Sequence, residues 1–240
     1  MLWVAKDRFQ KKQFMEGIPT SDARSIAMGL VEMTGKVVPI KLLKSPLSNA
    51  DCVYYKFTVE ELRRSGKNSH WVTIFSRKEH ENFFIQDSTG QIEVDPREAE
   101  IDISPDRSAR TRDLFFETGD EAEVKACFEK LGIHTSEGIG LGPIRIGASP
   151  KRKITEWYLA PGDTVYVLGT AEPKPGVSSA KHEDMVIIKK GENNPLFYIS
   201  DKSEKETVNK IRTEMYVTLI GGLGSIVVGL ALVFLGFIKV

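Results

Sequence analysis

Between positions 53 and 59 the chain alternates, with Val53, Tyr55, Phe57 and Val59 falling on one side and Tyr54, Lys56 and Thr58 on the other. That period of two is the signature of a half-buried strand. Further runs rich in β-branched and aromatic residues cover 71–75, 83–86, 91–94, 164–168 and 185–188. Each is bounded by turn formers, so they predict short strands as well. Asp87, Ser88, Thr89 and Gly90 join two of them as a hairpin turn. Pro161, Gly162 and Asp163 predict a second antiparallel connection, with proline fixing one torsion and glycine permitting a positive φ.

One stretch changes period. Asp120 and Glu123 form a capping box, and Val124, Cys127, Phe128 and Leu131 follow at i, i+3, i+4 and i+7, with Gly132 placed to end the helix. Cys127 is thereby predicted to face a core. The expected fold class is mainly β, a small antiparallel barrel with one inserted helix. The oligonucleotide/oligosaccharide-binding (OB-like) barrel is the nearest common case for short strands with glycine-marked turns in a domain of this size.

The last pattern is of another kind. From Met215 to Ile238 the chain carries no charge for 24 residues. As a helix this run is about 36 Å long, enough to cross a hydrocarbon slab of about 30 Å with some tilt. Gly221, Ser225, Gly229 and Gly236 put small side chains on one face of it, where a second helix could pack closely. Asp201 followed by Glu204 is another capping box, which predicts a juxtamembrane helix over 200–214. Lys202, Lys205, Lys210 and Arg212 precede the span and only Lys239 follows it, so the domain is expected on the cytoplasmic side of the cell membrane. At the other terminus, Met1 to Ala5 is apolar and Lys6, Arg8, Lys11 and Lys12 follow. A late start codon would leave such a stub of a first span. The expected division is therefore a basic segment at 1–18, a β domain at 19–199, a juxtamembrane helix at 200–214 and a membrane helix at 215–238.

Composition narrows the chemistry. Thirty-three basic residues balance thirty-three acidic ones, so no global field favours nucleic acid, and none is expected as a partner. Cys52 and Cys127 are too few and too far apart for a cysteine zinc site, although one bridge between them stays open. His70, His80, His134 and His182 lack the spacing of a helical metal pair and are expected as surface or strand residues, His80 in a charged loop. Gly138, Gly140 and Gly142 imitate a phosphate loop, but Pro143 and a predicted strand follow where a helix should begin. With no nucleophile elbow or metal motif, neither catalytic residues nor a cofactor is expected. Lys151, Arg152 and Lys153 form the densest basic run, either a solvated hairpin rim or a contact for anionic lipid or a partner.

Five strings in order carry a resemblance: PTSDARSIAMGLVEMTGKV from Pro19, SPLSNADCVYY from Ser45, FFIQDSTGQIEVDP from Phe83, EWYLAPGDTVYVLGTAE from Glu156 and YISDKSEKE from Tyr198. Together they resemble the GIDE domain, also called the beside-a-membrane (BAM) domain, over nearly all of residues 19–238. The resemblance implies a module set next to membrane spans. In eukaryotic relatives, which are ubiquitin ligases, a RING finger after the second span recruits the ubiquitin-carrying enzyme. Here the sequence closes two residues after the apolar run, so the expectation is a RING-less, prokaryotic-type version that recognises or scaffolds a membrane-associated protein. A ligase activity inherited from relatives and a homo-oligomeric membrane organiser are the alternatives.

Overall fold

The computed structural model describes residues 20–65, 68–112, 115–116, 127–129, 131, 140–141, 144–145, 151–177, 183–192, 196–202 and 213. In chain order the strands are β1 (Gly29–Pro39), β2 (Leu43–Lys44), β3 (Asp51–Cys52), β4 (Tyr54–Ser65), β5 (Asn68–His80), β6 (Phe83–Gln86), β7 (Gln91–Val94) and β8 (Glu100–Asp102). There follow β9 (Arg107–Arg112), β10 (Phe115–Phe116), β11 (Gly140–Leu141), β12 (Ile144–Arg145), β13 (Arg152–Leu159), β14 (Thr164–Pro173), β15 (Val186–Lys189) and β16 (Tyr198–Ser200).

Five of these close into a barrel. β1 pairs with β6, β6 with β7, β7 with β15, β15 with β14, and β14 returns to β1. Only the β7–β15 contact is parallel. The barrel is filled by the inward positions of its strands, among them Val31, Met33, Val37, Phe83, Ile85, Ile92, Val94, Val165, Val167 and Ile188. Those of β6, β7, β14 and β15 fall in runs that the sequence pattern singles out, whereas β1 is a strand that it does not mark, and closing the sheet removes the edges that would otherwise expose their backbone. β16 and β8 extend the sheet beside β14.

The second layer is a five-stranded antiparallel sheet in the order β10-β9-β13-β4-β5. It is built from two insertions into the barrel sequence. β4 and β5 lie between the first and second barrel strands, and β9 to β13 lie between the third and fourth.

This second layer corrects two of the sequence expectations. The 53–59 strand is not half-buried, because Tyr54 and Thr58 are buried as well as Val53, Tyr55, Phe57 and Val59. It serves two cores at once. Tyr54 packs into the barrel cluster, whereas Phe57 and Val59 join Leu47, Cys127, Phe128 and Ile154 in a separate one. Pro161 and Gly162 do form a turn, with Gly162 at φ +89, but it is not a hairpin. β13 and β14 belong to different sheets, and the turn carries the chain from one to the other. Gly162 N donates to Val37 O and Val37 N to Asp163 O, both at 2.8 Å, which hooks the turn onto β1.

The Asp87 to Gly90 hairpin forms between β6 and β7 as expected. One oxygen of the Asp87 carboxylate accepts from Thr89 N, Thr89 Oγ1 and Gly90 N, and the other accepts from Ala23 N at 2.8 Å. Burial is the largest single influence on this carboxyl and pushes its pKa up, but the hydrogen bonds together outweigh it and hold it below the usual carboxylate range. Of the predicted helix, 127–129 is described and is helical, and Cys127 is buried as its spacing requires. Among the described residues no helix is long and apolar enough to cross a membrane. The 1–18 segment, nearly all of the juxtamembrane helix and the 215–238 run lie outside the described residues. Asp201, expected to cap that helix, accepts from Ser104 N at 2.7 Å.

Candidate functional site

The most constructed polar feature of the second layer is centred on Glu156. β13 places this side chain on the same face as Ile154, toward the second core, where it is 0% exposed. A carboxylate there must be satisfied by hydrogen bonds. The chain supplies them from the 45–50 loop, whose serines, proline and asparagine favour tight turns over regular structure. Leu47 N donates to one carboxylate oxygen at 2.7 Å, while Ser48 N at 3.0 Å and Ser48 Oγ both donate to the other. Ser45 closes the loop on itself: its N donates to Ala50 O and its Oγ accepts from Ala50 N, each at 3.0 Å. Asn49 takes the left-handed conformation, φ 52, that this tight path needs. Leu47 is thereby pinned into the second core.

Cys52 lies at the end of the same loop, buried and unbridged, as is Cys127. Its thiol is pushed up to about 12, first by burial and then by the Glu156 and Asp51 carboxylates nearby. At pH 8 this leaves roughly a thousandfold less thiolate than an unperturbed cysteine would carry. The folded protein is accordingly expected to resist maleimide at both cysteines and to take up two equivalents once unfolded in urea. Mass spectrometry before and after unfolding checks this, and rapid labelling of native Cys52 would contradict it.

Sheet register sorts the predicted basic run. Arg152 is on the Glu156 face, buried, with its guanidinium 3.5 Å from Glu61; Lys153 is on the opposite face and pairs with Glu60 at 3.1 Å. Lys151 is exposed just before β13. The run is therefore divided between two faces of a sheet. The small-residue stripe of Gly221, Ser225, Gly229 and Gly236 lies outside the described residues.

His70 is exposed in β5, and His80 ends the same strand, half-buried, where a charged loop was expected. His134 and His182 lie outside the described residues. Gly140 and Leu141 pair with Arg145 and Ile144 as a two-residue ladder, so the glycine run leads into a strand pair. Among the described residues no group of three or more His, Cys, Asp or Glu side chains could hold a metal ion.

Sequence reading missed the Glu156 loop and the exposed face of β4 and β5. Both had a signal: a glutamate inside an apolar strand pattern, and Lys56 alternating with the aromatic residues of its own strand.

The fold defines a class: a closed five-strand barrel carrying a second, inserted antiparallel sheet. A family model named GIDE and described as an E3 ubiquitin ligase matches residues 54–234, more than half of the chain. The chain belongs to the GIDE family. The match begins at β4, so the 19–53 part of the resemblance, with the first barrel strand and the Glu156 loop, lies outside it. No curated protein and no solved structure matches the chain.

Proposed function

We propose that this chain is a membrane-anchored recognition or scaffolding module, a GIDE-family β domain held beside the bilayer on the cytoplasmic side by the 215–238 run. The observation that carries this reading is the extent of the family match, which takes in both the second sheet and the apolar run up to residue 234. A domain tethered in this way meets partners in the same bilayer at high effective concentration, so a modest intrinsic affinity suffices. The barrel adds support. Its strands close in the order first, second, third, fifth, fourth, a Greek-key path that we read as OB-like, a type that presents an outer face and loops to ligands. The intact protein is expected to stay with the membrane after alkaline carbonate washing and to bring a membrane-protein partner with it in affinity purification from nanodiscs. Complete release by carbonate would refute the anchor. Repeated recovery of the chain alone would refute the recognition role.

The family's description favours a second reading, ubiquitin-type ligation. Incubation of the full chain with activating and conjugating enzymes decides between the two. We expect no conjugate, and an efficient one would establish the ligase reading. Gly221, Ser225 and Gly229 leave a third, an organiser assembled through its membrane helices. Gly229→Ile would dissociate such an assembly in lipid and would leave a monomeric module unchanged.

A further inference from the structure

Register on β4 and β5 puts Lys56 directly opposite Lys78, with Thr58 opposite Ser76, Glu60 opposite Thr73 and Leu62 opposite Trp71 on the same face. The strand ends add Arg64, and β13 adds Lys153. A β-bulge keeps this alternation in place. The register shifts between Val59 and Glu60, so Ile74 and Phe75, consecutive in β5, both pack against the second core, and Thr73 and Trp71 are returned to the outer face.

That face is open along β5, at Lys56 and at the Arg64 end of β4, whereas Tyr54 at the start of β4 packs into the barrel cluster. Lys56, Lys78, Ser76, Thr73 and Arg64 are exposed, and Trp71 is 39% exposed. Toward β13 it is covered, since Thr155 is buried and Lys153 pairs with Glu60.

Two lysines directly opposite on an antiparallel pair repel each other and destabilise the sheet. Neither Lys56 nor Lys78 has an ion pair among the described residues. Lys56 lies instead over the Trp157 ring, 5.0 Å from its centroid. In a chain of zero net charge, this face carries Lys56 and Lys78 toward one end and Arg64 beside the exposed Trp71 toward the other, about 20 Å along the strands. A sheet face that carries cations along its length and an exposed indole near one end suits the boundary layer of a bilayer, where the ring sits at headgroup depth and the cations meet phosphate.

We propose that the outer face of β4 and β5 rests on anionic phospholipid headgroups, with Lys56 and Lys78 sharing phosphate and Trp71 seated in the interface. The inference rests on the anchored reading given above, which brings the face within reach of lipid. It replaces the contiguous Lys151 to Lys153 run with residues distant in sequence and assembled by register.

The test uses the full chain with a fluorescent bimane at Ser76→Cys. The two native cysteines are buried, so labelling is selective. The chain is reconstituted into vesicles of phosphatidylcholine alone or mixed with phosphatidylglycerol, each carrying a headgroup spin label as quencher. A second labelled variant, Glu192→Cys, serves as the reference for an exposed site on another element.

Quenching at Ser76→Cys is expected in the anionic vesicles only, exceeding that at Glu192→Cys. Each lysine near an anionic surface contributes about fivefold to such a contact, so Lys56→Gln with Lys78→Gln should weaken it about twenty-five-fold, and high salt should weaken it too. Equal quenching with and without phosphatidylglycerol overturns the proposal. So does none in either while carbonate leaves the chain in the vesicles, and that result keeps the anchor intact. If carbonate strips the chain from every vesicle, the anchor fails, and flotation of the chain with anionic vesicles then scores the face by itself: lysine-dependent flotation supports it and none overturns it. Protection of the bimane by short single-stranded RNA and not by vesicles would also overturn it, in favour of a nucleic-acid surface.

Discussion

Glu156→Ala is expected to lower the unfolding free energy by about 3 kcal/mol or more, because it removes one side chain and orphans several donors. The carboxylate is fully buried and is the acceptor for Leu47 N, Ser48 N and Ser48 Oγ. Without it, two backbone amides remain in a place where water is scarce, each costing about 1–3 kcal/mol if unpaired. The loop can escape that cost only by leaving, and Leu47 would leave the second core with it. Glu156→Gln should lose about half as much. It keeps one carbonyl oxygen for an amide, and its NH2 can turn to Ser48 Oγ, but it opposes the remaining backbone donor. Urea denaturation measures the two losses, and amide hydrogen exchange at Leu47 and Ser48 separates this mechanism from general loosening. The alanine variant should also make Cys52 reactive toward maleimide, because the same loop leads into β3. An alanine variant of unchanged midpoint, with Cys52 still protected, would show that the loop is held by something other than this carboxylate.

The same residue shows what was legible in the sequence. The sequence pattern marked four of the five barrel strands, β6, β7, β14 and β15, with local turn chemistry legible at Asp87 to Gly90, and it did not mark β1. It misjudged the 53–59 strand because a strand that touches two cores buries residues on both faces, and nothing local announces the second core. Thr58 lies buried in a position that its polarity assigns to solvent. Glu156 was illegible as a loop anchor for a similar reason. Its partners lie more than a hundred positions earlier, and only the pairing of β13 with β4 brings the two segments together. Pro161 and Gly162 were legible as a turn, but the antiparallel connection expected there is a crossing between sheets, since turn chemistry fixes a local bend and not the sheet each arm enters.

The cation face follows the same logic. Composition excluded a strongly basic protein, and it is not one: the charges are evenly matched over the whole chain. Net charge is blind to segregation, however. On β4, Lys56 faces outward while Glu61, on the other face, neighbours Arg152, so residues five apart in one strand belong to different electrostatic environments. A run such as Lys151 to Lys153 looks dense in sequence and is split by the pleat. Lys56 and Lys78 look isolated and are brought together by it.

Gly35→Ala is expected to destabilise the barrel by about 3 kcal/mol, and Gly35→Val to prevent its closure. The cause is space and not torsion, as this glycine is not among those with positive φ. β1 is shared at this point: Lys36 pairs with Thr164 of β14 and also with Gln86 of β6, so the strand changes partner within one residue. A strand that bends to serve two neighbours brings their backbones inward, and Gly35 lies at the bend. A Cβ there would stand 2.5 Å from Gln86 O and 2.9 Å from both Gln86 C and Ile85 Cγ1. Two of those three atoms are backbone and cannot rotate away, so relief requires β6 to move off β1, opening the ring that five strands complete. Gly176→Ala gives the contrast. It sits at φ +74 with nothing within 4 Å of its added carbon, so its cost should be conformational alone, about 1 kcal/mol. Denaturant midpoints of the two variants, with hydrogen exchange along β6, distinguish a steric from a torsional origin. Equal losses, or full protection of β6 in Gly35→Ala, would mean that the barrel tolerates a side chain at its bend and that its closure does not depend on this contact.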